Sequence, residues 1–294
     1  MAHAHTETHD PTLYYVPHGT RWPIVGSVAL FSLVGGAGLW LNGWRGGEVV
    51  SLVGLVLLVV MLWGWFGDVI RESMRGFYNG QVDVSFRMGM IWFIFSEIMF
   101  FAAFFGALFY ARAMVVPWLG GEGHGTMTNE FLWDSYTAAW PTNGPGMVGG
   151  AFETIPAWGL PLINTLLLLT SGVTLTIAHH ALRSGHRGTL LFWLGATIAL
   201  GLIFLGVQLY EYHHAYTDLN LTLGSGVYGS TFFMLTGFHG LHVFLGLIML
   251  IVMWFRCAKG HFTKENHFAF EAVAWYWHFV DVVWLGLFLF VYVM

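Results

Sequence analysis

The run LVGLVLLVVMLW, residues 52–63, consists almost entirely of leucine, valine and methionine. A transmembrane β-strand alternates apolar and polar residues over about ten positions, whereas this run contains no polar side chain. A membrane-spanning helix needs roughly 20 apolar residues, because it rises about 1.5 Å per residue across about 30 Å of hydrocarbon. The run therefore predicts the centre of a transmembrane helix.

Seven stretches of the chain are long and apolar enough to span a bilayer in this way. They lie near residues 23–42, 49–66, 88–111, 158–181, 189–210, 227–255 and 272–294. Of the 294 residues, 56% are hydrophobic and 9% are charged, against roughly 25% charged residues in a soluble domain. The composition excludes a soluble globular protein and predicts an all-α integral membrane protein.

The charges also limit the partners and the covalent chemistry of the chain. The net charge of -5 includes no basic tract, so we expect no nucleic-acid partner. The single cysteine, Cys257, excludes an internal disulfide.

Lysine and arginine favour the cytoplasmic side of a membrane protein, which gives the orientation. Nine of the 11 cations fall on the same side as the amino terminus and two, Arg45 and Arg112, on the other. We therefore expect a cytoplasmic His-rich tail over residues 1–22, a cytoplasmic linker over residues 67–87 and an external loop over residues 113–157. The carboxyl terminus should lie outside.

Two acidic residues lie inside predicted spans, where ionisable side chains are costly and usually functional. Glu97 lies about ten residues beyond Arg87, or about 15 Å along a helix, near the bilayer centre. It could lie on or beside a proton route, or it could be a neutral carboxyl group that hydrogen-bonds a neighbouring helix. Asp281 follows His278 by three positions, a helical spacing that suits a hydrogen bond serving either packing or proton transfer.

The histidines do not favour a metal centre in spite of their number. His239 and His242 share a helix face and could ligate a metal, but a haem between helices needs a facing histidine, and His278 is the only other deep one. The pairs 179–180 and 213–214 end spans on opposite sides of the membrane, so they cannot form a di-iron site. His residues in the amino-terminal tail, namely His3, His5, His9 and His18, indicate a solvated segment rather than a metal site.

Eight stretches together resemble subunit III of the haem-copper cytochrome c oxidases, and the resemblance runs from about Trp65 to the carboxyl terminus. They are DVIRES at 68–73, RMGMI at 87–91 with SE at 96–97, SGV at 171–173, AHHAL at 178–182, GVYGSTFF at 226–233, TGFHGLHV at 236–243, HFAFE at 267–271 and AWYWHFVDVVW at 274–284.

This resemblance implies seven helices in two bundles, residues 23–66 and 88–294, separated by a cleft that holds phospholipids. It implies a subunit with no catalytic residue, no metal and no redox cofactor, whose haem and copper lie in partner subunits. The implied partners are subunit I, in direct contact, then subunit II, small subunits and phospholipids. The implied role is to support proton uptake and to protect the active site of subunit I.

Individual residues of this sequence match positions that are functional in the family. Glu97 matches a buried glutamate of the third helix that faces subunit I. The lipid-contacting positions match Trp65, Arg71, Glu72, Phe93, Arg256 and His261. The residues themselves, rather than the resemblance, single out four buried polar side chains whose role stays open: His239, His242, His278 and Asp281. Three departures from the family pattern are Phe66 in place of a second tryptophan, FYNG at 77–80 in place of a His-containing segment, and Asn266 in place of the first residue of a His pair.

Three other hypotheses stay open on the sequence alone. The equivalent subunit of a quinol oxidase typically has five spans, which disfavours it. A stand-alone membrane di-iron or haem enzyme would bind metal on this chain, and many transporters would show an inverted repeat. We expect a bacterial inner membrane, with the mitochondrial inner membrane as the alternative.

Overall fold

A computed structural model describes residues 14–16 and 19–294. Within this part of the chain there is no β-strand, and seven helical segments are long and apolar enough to cross a membrane. The predicted all-α fold with seven spanning helices is therefore confirmed. The tail histidines 3, 5, 9 and 18 lie outside the described residues.

The helices follow one another with short connections except between the third and fourth spans. The spanning helices are α1 (Trp22–Leu41), α2 (Gly47–Met74), α3 (Gly80–Tyr110), α6 (Leu160–Ser184), α7 (Arg187–Thr217), α8 (Gly226–Ala258) and α9 (Phe268–Leu287). Helix α3 continues through a π-helical turn (Ala111–Val115) into α4 (Val116–Leu119), and α9 ends in a second π-helical turn (Phe288–Val293). Between α4 and α6 lie a 3₁₀-helical turn (Gly123–Gly125) and one short α-helix, α5 (Thr126–Leu132).

Helices α2 and α3 extend well into the segment 67–87 that the sequence suggested was a linker. Only residues 75–79 separate the two helices. Ion pairs at helical spacing stabilise the polar end of α2 and the polar start of α3. Arg71 pairs with Asp68 in α2, and Arg87 Nε lies 2.7 Å from Asp83 Oδ2 in α3. The length of an apolar run predicts how much of a helix could lie in hydrocarbon, whereas α2 and α3 continue through the polar residues beside their apolar runs.

The chain divides into two compact units, and the first ends at Met88. In this unit α1 packs closely along α2 through glycines. A Cβ at Gly36 would lie 2.3 Å from the backbone nitrogen of Ser51, and one at Gly54 would lie 2.3 Å from that of Leu33. Small residues of this kind let membrane helices approach backbone to backbone, where dispersion contacts hold them together.

The second unit runs from Gly89 to Met294 and contains the main core. Helix α6 packs on α7 and α9, and α8 packs on α7 and α9. Two fully buried tryptophans of α9 bond to α6: Trp277 Nε1 donates to Ser171 Oγ and Trp284 Nε1 donates to Thr165 Oγ1, each over 2.9 Å. Both indoles are thus buried without leaving an N–H unsatisfied.

The long segment between α5 and α6 is anchored on the α7–α8 turn. The backbone nitrogen of Glu153 donates to Leu219 O over 2.9 Å. The side-chain amide of Asn220 donates to Gly149 O over 3.1 Å and to Ala151 O over 2.8 Å. The predicted external loop 113–157 therefore has defined structure, with α4 and α5 inside it.

Close packing of α1 on α2 predicts that Gly36→Ala destabilises the first unit whereas Gly35→Ala does not. A Cβ at Gly35 has no atom within 4 Å, while one at Gly36 collides with the α2 backbone. Overpacking of this kind costs about 1–3 kcal/mol, and the gain in helix propensity is the same for both variants. Thermal unfolding in detergent should show a lower Tm for Gly36→Ala alone; equal Tm values would contradict the packing.

Candidate functional site

Glu97 of α3 and His242 of α8 form a bonded pair inside the second unit. Oε2 of Glu97 lies 2.9 Å from Nε2 of His242. The two side chains are 21% and 11% exposed, respectively. The two residues are 145 positions apart in the sequence, and only the packing of α3 beside α8 brings them together.

The hydrogen bonds of this pair define how many protons it holds. A backbone carbonyl can only accept, so Nδ1 of His242, 2.6 Å from Phe238 O, carries a hydrogen. Nε2 then either accepts a hydrogen bond from protonated Glu97 or, in an imidazolium, donates to the carboxylate. In both arrangements one hydrogen lies between the two side chains and the hydrogen-bonded pair has no net charge.

Aromatic rings surround the pair. The His242 ring lies 5.0 Å from Phe101 and 6.4 Å from Tyr276, which it stacks upon. Phe93, one of the predicted lipid-contacting residues, stacks on the same tyrosine at 6.2 Å and is itself 45% exposed. The proton-holding pair therefore lies in an apolar pocket beside an exposed apolar face of α3.

His239 lies one turn before His242 but serves a different purpose. Its Nε2 donates to Val280 O over 3.2 Å, and its ring packs against Trp284 at 5.0 Å. Both nitrogens of His242 are already engaged. The two imidazoles therefore do not form a shared ligand set as they stand, and His239 ties α8 to α9.

His278 and Asp281 are close but not tightly bonded. Nδ1 of His278 lies 3.6 Å from Oδ2 of Asp281, which is long for a hydrogen bond. Nε2 of His278 is 3.4 Å from Thr176 Oγ1 on α6. Asp281 is buried against Gly172, where a Cβ would lie 2.4 Å from the carboxylate, so this glycine provides the space for the acid.

The predicted lipid-contacting residues of the first unit lie at the end of α2. Trp65 is exposed and stacks on Phe66, and Arg71 is exposed and paired with Asp68. Glu72 accepts a hydrogen bond from Tyr78 over 2.7 Å. Burial, together with the negative charge of Glu72, raises the pKa of the Tyr78 hydroxyl, which stays protonated as the donor.

Arg256 and His261 of the second unit lie where α8 ends. The guanidinium of Arg256 covers the ring of Phe262 at 4.4 Å, and within the described chain its Nε has no hydrogen-bond partner. Partial burial, followed by the positive charges of Arg256 and Lys259, lowers the pKa of His261. A buried guanidinium with an unused donor is suited to an anionic oxygen.

The structure also contains a buried acid that the sequence did not single out as a site. Glu211 of α7 is completely buried, and Tyr292 at the end of the chain donates to its Oε1 over 2.5 Å. Among the described residues, Oε2 of Glu211 and the side-chain amide of Gln208, one turn earlier, have no partner. The signal available in the sequence was a glutamate and a glutamine at i, i+3 in an otherwise apolar span; their partner could not be inferred from spacing.

Comparison with known proteins gives a consistent result over almost the entire chain. A family model described as "Cytochrome c oxidase subunit III" matches residues 13–126 and 130–294. A protein named cytochrome c oxidase subunit 3 from Tragelaphus strepsiceros is 40% identical over 97% of this chain and 98% of its own length. The protein of the same name from Arabidopsis thaliana is 40% identical over 95% of each chain.

The contact between Glu97 and His242 predicts different stabilities for two variants. In Glu97→Gln the new amide can donate to Nε2 of His242, so the bond persists and the stability should stay close to wild type. In Glu97→Ala the imidazole nitrogen loses its partner, at a cost of about 1–3 kcal/mol. Thermal unfolding in detergent checks this difference, and equal destabilisation of both variants would argue against the pairing.

Proposed function

Because the chain belongs to the cytochrome c oxidase subunit III family, we propose that it is a non-catalytic core subunit of a proton-pumping terminal oxidase that passes electrons from cytochrome c to O2. In this proposal it binds subunit I directly, supports proton uptake into that subunit, protects the oxygen-reducing site and holds structural phospholipids. The names of its relatives favour cytochrome c over quinol as the electron donor.

The observation that carries the proton-uptake part is the Glu97–His242 pair. One proton is held between two groups whose heavy atoms are 2.9 Å apart. Neither form of the pair has a net charge, so moving that proton between the two groups creates no uncompensated charge in the apolar surroundings. Because Glu97 is still 21% exposed, a proton can be exchanged at the surface of α3, where we place subunit I.

The cysteine and histidine residues of this chain are poorly suited to bind copper or haem, which favours electron transfer in partner subunits. A binuclear copper site needs two bridging thiolates, and the sequence has one cysteine. His239 and His242 donate or share their ring hydrogens with Val280, Phe238 and Glu97, so binding a haem iron would break existing bonds. We therefore assign haem and copper to subunits I and II.

The orientation of the chain in the membrane is proposed from the distribution of lysine and arginine on the two sides of the spans. Nine of the 11 lysines and arginines lie on the amino-terminal side of the spans, which we place in the cytoplasm or its equivalent. Arg71, Arg256 and His261 then lie toward that leaflet. Phospholipid head groups carry the phosphate oxygens that guanidinium groups bind best.

Proton supply through Glu97 predicts a pH-dependent defect in Glu97→Gln. The variant keeps the hydrogen bond but cannot release a proton, so oxygen reduction by the purified complex should fall further below wild type as the pH rises, because free protons become scarce. If Glu97 only joins helices, the Glu97→Gln profile will coincide with wild type. That result would remove the proton role while leaving the family assignment intact.

Lipid retention by Arg71 and Arg256 predicts phospholipid loss in the double variant Arg71→Ala/Arg256→Ala. Mass-spectrometric lipid analysis of the purified complex should show fewer tightly bound phospholipids per complex than in wild type. Arg183→Ala is the matched control, because Arg183 is an exposed arginine on the same predicted side. Equal lipid content in all three proteins would contradict the lipid role of these arginines.

A further inference from the structure

Two histidines and a glutamate meet where α6 ends and α9 begins. His179 lies near the end of α6, His267 immediately precedes α9, and Glu271 lies in the first turn of α9. Their ligand atoms all lie within 4.8 Å of one another. Nε2 of His267 is 3.1 Å from Oε1 of Glu271, and Nε2 of His179 is 3.8 Å from the same oxygen.

The positions of the three residues follow from local structure. A turn in which Thr263 N donates to Asn266 O and Asn266 N donates to Thr263 Oγ1 sets the direction in which the chain enters α9. One helical turn then separates His267 from Glu271, so both side chains face α6. The imidazole of His179 meets them from the other helix, with its ring 5.5 Å from that of His267.

Three imidazole nitrogens of this cluster are buried and have no hydrogen-bond partner among the described residues. Within the part of the chain that the structure describes, Nε2 of His179 and both nitrogens of His267 make no hydrogen bond. The His267 side chain is only 9% exposed, and its approach to Glu271 is close but not aligned for a hydrogen bond. Buried polar atoms normally have a partner, so these nitrogens point to a ligand.

The donor set and its spacing suit a divalent transition metal. Imidazole nitrogens and a carboxylate oxygen bind Zn²⁺ at about 2.0–2.2 Å, so neighbouring ligand atoms in a tetrahedral site lie about 3.3 Å apart. The separations of 3.1 and 3.8 Å bracket that value. Two neutral imidazoles and one carboxylate would leave a fourth position for water, as in three-ligand zinc sites.

We propose that His179, His267 and Glu271 form a binding site for one divalent transition-metal ion, with Zn²⁺ as the representative case. The ion would join the end of α6 to the start of α9. This site is separate from the Glu97–His242 pair and does not rest on the proposed function.

The surroundings favour such a site. Phe270 packs on the His179 ring at 5.5 Å, and Phe262 packs on Phe270 at 6.5 Å, so aromatic rings limit access of water. The nearest cation on α6, Arg183, is exposed, and solvent weakens its repulsion of a bound cation. His180, the next residue after His179, is also exposed and is not part of the cluster.

Zinc binding by the intact oxidase complex tests the proposal. The complex is purified in mild detergent, treated with a chelator, incubated with Zn²⁺, freed of loose metal by gel filtration and analysed for zinc. The variants are His179→Ala, His267→Ala and Glu271→Gln, with His180→Ala as the matched control. Comparison between variants removes the contribution of metal held elsewhere in the complex.

We expect wild type and His180→Ala to hold one more zinc per complex than the three ligand variants, with affinity reduced at least about 10- to 100-fold in each of those. X-ray absorption of the wild-type complex reloaded with one Zn²⁺ should show imidazole ligands, a result that needs no variant to assemble. Equal zinc content in wild type and Glu271→Gln, or a zinc spectrum without imidazole, would overturn the proposal. The cluster would then be a metal-free contact between His267 and Glu271.

Discussion

Hydrocarbon offers no hydrogen-bond partners, and this constraint underlies the whole structure. Every polar group within it must find its partner inside the protein. The backbone does so by forming long helices, seven of which in the described chain could span a membrane, and several side chains do so across helix contacts. Trp277 with Ser171, Trp284 with Thr165 and Thr174 with Thr197 are such pairs, each joining two helices of the second unit.

The helix contacts within the two compact units are made by different kinds of residue. In the first, glycines bring the backbones of α1 and α2 into direct contact. In the second, aromatic side chains fill the space between α3 and its neighbours: Phe104 packs on Phe238 of α8, and Phe105 approaches Gly286 of α9. The Glu97–His242 pair lies among these aromatic contacts between α3 and α8.

The polar groups of the second unit also differ in what they are suited to do. Trp277, Trp284 and His239 have their N–H donors bonded to fixed acceptors, and such groups hold helices in register. The Glu97–His242 pair contains a proton that either partner can carry, and the cluster of His179, His267 and Glu271 contains nitrogens without a hydrogen-bond partner in the described chain. A hydrogen shared by two titratable side chains, and ligand atoms of three residues within 4.8 Å of one another, distinguish the two candidate sites from these packing contacts.

The number of spans could be predicted from the sequence alone, because apolar length is a local property and about 20 residues suffice to cross the hydrocarbon. It also singled out Glu97, since a carboxyl group amid Ile, Phe and Met is conspicuous without any partner. The partner, His242, 145 positions away, became evident only when α3 packed beside α8. The same holds for the Glu211–Tyr292 bond and for the contact of His179 with His267 and Glu271. Such contacts depend on the rotation and separation of helices that are distant in the chain, and these are set by how the helices pack.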